Sequence, residues 1–116
     1  MNDEALKQAD ARLRALREEL LLEKEHAADG TAVVELDQAR LGRLSRMDEM
    51  QQQAMALELD RRREIHLKRI EGAFQRLEKG TYGVCSHCGE AIEDKRLEFD
   101  PTVFFCLRCA ARSEKR

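Results

Sequence analysis

The four cysteines of this chain form two C-x-x-C pairs, Cys85 with Cys88 and Cys106 with Cys109. Seventeen residues separate the pairs, a spacing typical of zinc sites. Two residues between ligands allow a tight turn that directs both sulfurs to one point, and Gly89 suits the positive φ of such a turn. Because four thiolates fill a tetrahedral ion and leave no place for a reactive water, the sequence predicts one structural Zn²⁺.

Other uses of these cysteines stay open at this point. Two disulfides would suit an oxidising compartment, but the sequence begins without a secretion signal. A redox C-x-x-C is typical of a βαβ pattern, which the sequence lacks. His87 could replace one cysteine as a ligand, or it could lie exposed in the first turn.

The composition favours long solvated helices. Charged residues make up 38% of the 116 positions and aromatic residues 4%, which suits helices better than a large globular core. The net charge of −2 gives no electrostatic reason to bind nucleic acid. No apolar run approaches 18 residues, so we expect a cytoplasmic protein without a membrane span.

Two helices are predicted before the cysteines. The first covers residues 3–28 and ends at Asp29-Gly30; its stripe follows the three- and four-residue steps of a coiled coil at Leu6, Ala9, Leu13, Leu16 and Leu20. The second runs from a capping box at Ser45 to Lys79, with Gly80 as its C-terminal cap. It carries two apolar seams in different registers, Met47, Met50, Ala54 and Leu57, then Leu59, His66, Ile70, Ala73 and Leu77.

These patterns predict a mostly α chain: a long antiparallel helical hairpin, or coiled coil, over residues 1–79, with its tip around 30–45, and a small four-cysteine zinc-finger module over 80–116. The module is too small to fold on apolar burial alone, so metal binding and folding should be coupled. It carries six basic and six acidic residues. This balance argues against sequence-specific DNA binding.

The module and the helix before it resemble the C4 zinc finger of the DksA/TraR family. The resemblance rests on Gly80-Thr81-Tyr82-Gly83-Val84-Cys85, Cys88-Gly89, Ile92, Arg96-Leu97-Glu98, Pro101 and Cys106-x-x-Cys109, and it covers residues 55–112 best. It implies a bacterial regulator that binds RNA polymerase rather than promoter DNA. It also implies a hairpin that enters the secondary channel towards the catalytic magnesium, in several members together with the nucleotide ppGpp.

The predicted tip departs from this family. The family's tip motif is D-x-x-D-x-A, whereas the nearest match here is Ser45-x-x-Asp48-x-Met50, which keeps one acid. We take Arg43, Arg46 and Asp48 as candidate partner-binding residues, although Asp48 could serve only as a helix cap. The run Arg61-Arg62-Arg63 is either a solvated face or a contact for an acidic partner.

Two other classes of function remain at this stage. One is a zinc-stabilised protein-interaction module that does not itself control transcription. The other is an enzyme, but His26, His66 and His87 lie on separate elements and suggest no nucleophile and base. The sequence therefore predicts no catalytic residues.

Overall fold

The computed structural model describes the backbone of residues 1–41 and 46–114, and the side chains of residues 1–28 and 46–113. It contains the helices α1 (Asp3–Leu41), α2 (Arg46–Lys79), α3 (Asp94–Phe99) and α4 (Leu107–Glu114). In this described part, β pairing is limited to one antiparallel bridge between Val84 and Ala91. The predicted class is confirmed: a mostly α chain with a long helical hairpin and a small cysteine module at its C-terminal end.

Helix α1 is longer than predicted. It has 39 residues and continues through Asp29 and Gly30, so the predicted end at these residues is wrong. A glycine inside a helix costs only about 1 kcal/mol relative to alanine. No proline follows to break the backbone hydrogen bonds, and most of residues 31–41 are good helix formers. The predicted connector of residues 31–44 is thus helical as far as Leu41; residues 42–45, including Ser45 of the predicted capping box, lie outside the described residues.

Helix α2 has the predicted extent of 34 residues and the predicted cap. Gly80 has φ +76°. The Thr81 N–H donates to the carbonyl of Arg76 at 2.9 Å, and the Gly80 N–H donates to the carbonyl of Leu77 at 3.4 Å. These two bonds form a Schellman motif, which ends α2 and turns the chain towards the first cysteine.

The chain divides into two compact units, and the first combines residues 1–17 with residues 68–116. Leu13 of α1 and Ile70 and Ala73 of α2 are fully buried in it, and Ala9 is nearly so. The guanidinium of Arg17 lies 4.8 Å from the ring centre of Phe74. The apolar stripe predicted for the first helix is therefore buried or half-buried where it was expected, and it supports the module that follows α2.

The second unit contains residues 18–67. Lys24 of α1 forms an ion pair with Glu64 of α2 at 2.8 Å. The earlier seam of α2 remains exposed: Met47, Met50 and Leu57 are 73%, 65% and 69% exposed. None of the described helices is long and apolar enough to cross a membrane.

Candidate metal centre

The four cysteines meet in one cluster. Their sulfur atoms all lie within 4.8 Å of one another, and the Sγ atoms of Cys88 and Cys106 are 3.7 Å apart. A tetrahedron with Zn–S bonds of about 2.3 Å has sulfur–sulfur edges of about 3.8 Å. All four are free cysteines rather than disulfides. The residues present therefore fit a four-thiolate zinc site.

The first cysteine pair lies in a short hairpin. The Cys85 N–H donates to the carbonyl of Glu90 at 2.7 Å, and the Gly89 N–H donates to the carbonyl of Cys85 at 3.0 Å. Gly89 has φ +78°, as the sequence predicts for this turn. Because only glycine adopts this backbone geometry without a steric penalty, Gly89 lets Cys88 turn back towards Cys85.

The second cysteine pair sits at the start of α4. The Ala110 N–H donates to the carbonyl of Cys106 at 2.9 Å, while the Leu107 N–H donates to a carboxylate oxygen of Glu93 at 3.3 Å. The two pairs are tied together by the Ser86 N–H, which donates to the carbonyl of Phe104 at 2.8 Å. Two local turns, separated by a segment that contains α3, thus converge on one point.

The surroundings of the sulfur atoms favour the thiolate form at Cys85 and the neutral thiol at Cys109. Burial raises the pKa of Cys85, but backbone N–H groups of Cys88, Cys106 and His87 outweigh it and bring that pKa to about 6. Burial and hydrogen bonds from the neighbouring thiols raise the pKa of Cys109 to about 12. Four thiolates cannot share so small a space without a cation. A divalent ion would supply the positive charge that this cluster lacks.

His87 lies outside the cluster. Its side chain is exposed, and it is not among the grouped metal-binding atoms of the described residues. Of the two roles considered for His87, the structure favours that of an exposed turn residue.

Arginines attach the module to the long helices, and sequence reasoning missed them. Arg12 of α1 donates to the carbonyls of Leu97 and Glu98 at 3.3 and 2.6 Å. Arg76 of α2 donates to the carbonyl of buried Thr102 at 3.3 Å. The partners are backbone carbonyls, which every residue carries, so no pattern of residue types in the sequence signals these contacts.

A tyrosine and an ion pair complete the attachment. The Tyr82 hydroxyl donates to the carbonyl of Pro101 at 2.8 Å, and Arg69 lies 3.6 Å from a carboxylate oxygen of Asp100. Asp100 also accepts hydrogen bonds from the N–H and the hydroxyl of Thr102. The loop before Cys106 is thereby held from both α2 and its own turn.

The residues predicted at the tip are not gathered into a site by the described structure. Arg43 lies outside the described residues. Arg46 and Asp48 are exposed in the first turn of α2, where Asp48 suits the helix dipole.

The run Arg61-Arg62-Arg63 is paired within its own helix. Glu58 accepts hydrogen bonds from Arg61 and Arg62, and Asp60 accepts one from Arg63. Arg61 and Arg62 are 60% and 71% exposed, whereas the Arg63 side chain is only 11% exposed. The pairing within the helix favours a self-paired face, solvated at Arg61 and Arg62, over a basic patch that binds an acidic partner.

Comparison with known proteins addresses both parts of the chain. The profile of the prokaryotic dksA/traR C4-type zinc finger matches residues 80–115. The RNA polymerase-binding transcription factor DksA of Caulobacter vibrioides is 32% identical over 117 residues, which cover 100% of this chain and 80% of that protein. The chain belongs to the DksA/TraR family. The resemblance predicted from the finger motifs is therefore confirmed.

Two further relatives show how much of the chain is similar to known proteins. The RNA polymerase-binding transcription factor DksA of Haemophilus influenzae is 38% identical over 69 residues, 57% of this chain. That match spans about half of the relative, 47% of its length. The structure of transcription factor DksA2 from Pseudomonas aeruginosa matches with a TM-score of 0.80 and 28% identity, over 99% of this chain and 87% of that one. The likeness to DksA2 includes the long helices as well as the finger.

Proposed function

We propose that this chain is a transcription regulator that binds bacterial RNA polymerase. The observation that carries the proposal is the match, along the whole chain, to a protein named for RNA polymerase binding. The fold shared with DksA2 supports it, because the long helices as well as the finger are common to both. The chain acts by binding rather than by catalysis.

The two parts of the chain have different tasks in this proposal. The hairpin of residues 1–79 is the arm that enters the secondary channel, with the tip around residues 30–45 reaching furthest. Arg43, Arg46 and Asp48 contact the polymerase there. The exposed positions of Arg46 and Asp48 at the start of α2 support this role, since an exposed side chain can reach a partner.

The finger of residues 80–116 is the support for the arm. Cys85, Cys88, Cys106 and Cys109 hold one zinc ion, and the spread of their sulfur atoms within 4.8 Å supports this ligand set. The ion, when bound, supplies charge neutralisation and a cross-link that a small module needs in order to fold. With four protein ligands it has no open position for substrate.

Membership of the DksA/TraR family also supports a proposal about the cellular compartment and the other ligands of the protein. We place it in the cytoplasm, where the polymerase acts, without sequence-specific binding to DNA. The nucleotide ppGpp acts at the complex with polymerase rather than on the isolated chain. The equal numbers of acidic and basic residues in the finger support the absence of DNA binding.

The proposal is tested by transcription in vitro with purified bacterial RNA polymerase, with and without the zinc-loaded protein and with and without ppGpp. We expect the protein to bind polymerase and to change the lifetime of initiation complexes. The charge-reversal variant Arg46→Glu with Asp48→Lys should reduce this effect. The matched control is Lys7→Glu, a charge reversal at an exposed position in the first unit.

The difference between the tip of this chain and the tip motif of the family favours one alternative function. Because the tip keeps only one of the two family acids, Asp48, the chain could bind polymerase or another protein without altering transcription. Stable binding with unchanged initiation-complex lifetimes would select this interaction module. Failure to bind polymerase at all would overturn the regulator proposal.

A further inference from the structure

The two peptide groups that flank Cys106 are both held by side chains from one short segment. The carbonyl of Phe105, in the group before Cys106, accepts a hydrogen bond from Nε of Arg96 at 3.1 Å. The N–H of Leu107, in the group after it, donates to a carboxylate oxygen of Glu93 at 3.3 Å. Glu93 directly precedes α3, and Arg96 lies within it. The start of α3 thus holds the backbone on both sides of one cysteine.

The planes of these two peptide groups determine where the sulfur of Cys106 can lie. A peptide group is planar, so only the two torsions at the Cα atom relate one group to the next. When both planes are fixed, the direction of the Cα–Cβ bond is fixed as well, and only the rotation about that bond remains. Cys106 is 5% exposed, and its Sγ lies 3.7 Å from that of Cys88.

We propose that Arg96 is a positioning residue for the metal site, because it orients the peptide group between Phe105 and Cys106 and thereby directs the Cys106 sulfur towards the ion. This inference rests on the zinc site proposed above. The guanidinium of Arg96 stays protonated, so its bond to the carbonyl is charge-assisted and stronger than a bond between neutral groups. The contact is also part-buried, which limits competition from water.

The peptide group after Cys106 depends less on α3. Its carbonyl, that of Cys106, also accepts a hydrogen bond from the N–H of Ala110 at 2.9 Å. The contact between Glu93 and the N–H of Leu107 is exposed, so water can replace it. Arg96 therefore contributes more than Glu93 to the position of the cysteine.

The peptide group that Arg96 holds also faces a second ligand. Its N–H, that of Cys106, is one of the backbone groups that stabilise negative charge on the sulfur of Cys85. This peptide bond is trans, so its carbonyl and its N–H point in opposite directions. Hydrogen bonds linked in this way polarise one another. Four thiolates around one divalent ion leave about two negative charges, which a cation beyond this peptide group helps to stabilise.

Helix α3 is fixed within the finger, so Arg96 has a firm base. Its neighbour Leu97 is 6% exposed. The N–H of Ile92, shortly before α3, donates to the carbonyl of Gly83 at 2.8 Å. A side chain on a rigid element holds its partner more accurately than one on a loose loop.

The test compares three variants of the full zinc-loaded chain. Arg96→Met removes the donor and keeps an unbranched side chain. Arg96→Gln places an uncharged N–H at the position of Nε, the same number of bonds from the backbone. The matched control is Arg76→Met. Arg76 also donates to a carbonyl of the segment before Cys106, that of Thr102 at 3.3 Å, and both contacts are part-buried.

Competition with a chelator gives the zinc affinity of each variant. We expect Arg96→Met to lower it by about tenfold or more, and Arg96→Gln to keep most of the natural affinity. Because the finger folds as it binds metal, Arg76→Met also lowers the affinity, through stability alone. The absorbance of Co²⁺ at saturation separates the two effects: its bands should shift in Arg96→Met and stay in place in Arg76→Met.

The outcomes distinguish this inference from the zinc site itself. Unshifted Co²⁺ bands in saturated Arg96→Met, or a shift of the same size in Arg76→Met, would overturn the positioning role. An Arg96→Gln variant that binds zinc no better than Arg96→Met would overturn it as well. A natural chain that takes up no zinc would instead overturn the metal site, and the inference with it.

Discussion

The guanidinium of Arg12 in α1 donates a hydrogen bond of 2.6 Å to the backbone carbonyl of Glu98, 86 positions later in the chain. A second bond reaches the carbonyl of Leu97. Both carbonyls belong to the last turn of α3, where helical partners run out. Arg12 therefore caps a helix of the finger from a helix of the hairpin, and it makes the two parts of the first unit depend on each other.

Loss of this cap should destabilise the protein. Arg12→Ala removes the donor of both bonds. Because the bond to Glu98 is exposed and water can replace the donor there, we expect the free energy of unfolding to fall by about 0.5–1.5 kcal/mol. The measurement is urea unfolding of the zinc-loaded protein followed by circular dichroism. Arg14→Ala is the matched control: Arg14 lies on the same helix, 68% exposed, and pairs only locally with Asp10. Its change should stay within about 0.5 kcal/mol. Equal effects of the two substitutions would contradict the capping role.

The four cysteines should bind one zinc ion per chain. We expect Cys85→Ser and Cys106→Ser each to lower metal content strongly, because a structural site needs its complete set of thiolates. Elemental analysis of the purified protein gives the stoichiometry, and Co²⁺ substitution reports the tetrahedral sulfur environment by its absorbance. His87→Ser should keep full metal content, since His87 lies outside the cluster. Loss of zinc from that variant would show that the ligand set is wrong.

Removal of the metal should unfold the finger. A strong chelator should abolish chemical-shift dispersion for residues 80–113 while much of the helical signal of α1 and α2 survives, because only the finger depends on the ion for its cross-link. The measurement is NMR of the labelled protein before and after chelation, with zinc added back as the control. A finger that keeps its dispersed spectrum without metal would show that apolar packing alone suffices.

Glu58 should titrate far below an ordinary glutamate. Hydrogen bonds from Arg61 and Arg62 lower its pKa from 4.5 to about 2. A carboxyl whose pKa falls on folding stabilises the folded helix above about pH 4.5, and this stabilisation is lost as the pH falls towards 2. Carboxyl-selective NMR titration measures this pKa directly. Arg61→Gln with Arg62→Gln should return the pKa towards 4.5. An unchanged pKa in that double variant would contradict the assigned cause.

Gly80 should be required for its backbone geometry rather than for space. An added Cβ would meet no atom within 4 Å, but φ is +76°, so Gly80→Ala should cost about 1–2 kcal/mol of unfolding free energy. Gly80→Asn should cost less, because asparagine tolerates the left-handed region better. Thermal unfolding of the two variants gives the order. A smaller loss for alanine than for asparagine would contradict this explanation.

The metal cluster and the stripe of the first helix follow from the sequence because both depend on local spacing. Two residues between Cys85 and Cys88 allow one turn, with Gly89 supplying its positive φ, and the steps from Ala9 to Leu13 place both side chains on one face of a helix. The end of α2 also follows from local sequence, because Gly80 directly after Lys79 supplies the positive φ that ends the helix. The prediction that the first helix ends at Gly30 was wrong, since one glycine costs a helix too little to stop it.

Tertiary structure alone decided which seam of α2 is buried and what holds the finger in place. Ile70 and Ala73 are buried, whereas Met47, Met50 and Leu57 are exposed, although both seams have the same periodicity. Arg12 donates to backbone carbonyls 85 and 86 positions away. Every residue has a backbone carbonyl, so the residue types in the sequence do not indicate which carbonyls accept these bonds. Periodicity specifies which side chains share a face, but only the packed chain specifies what that face touches.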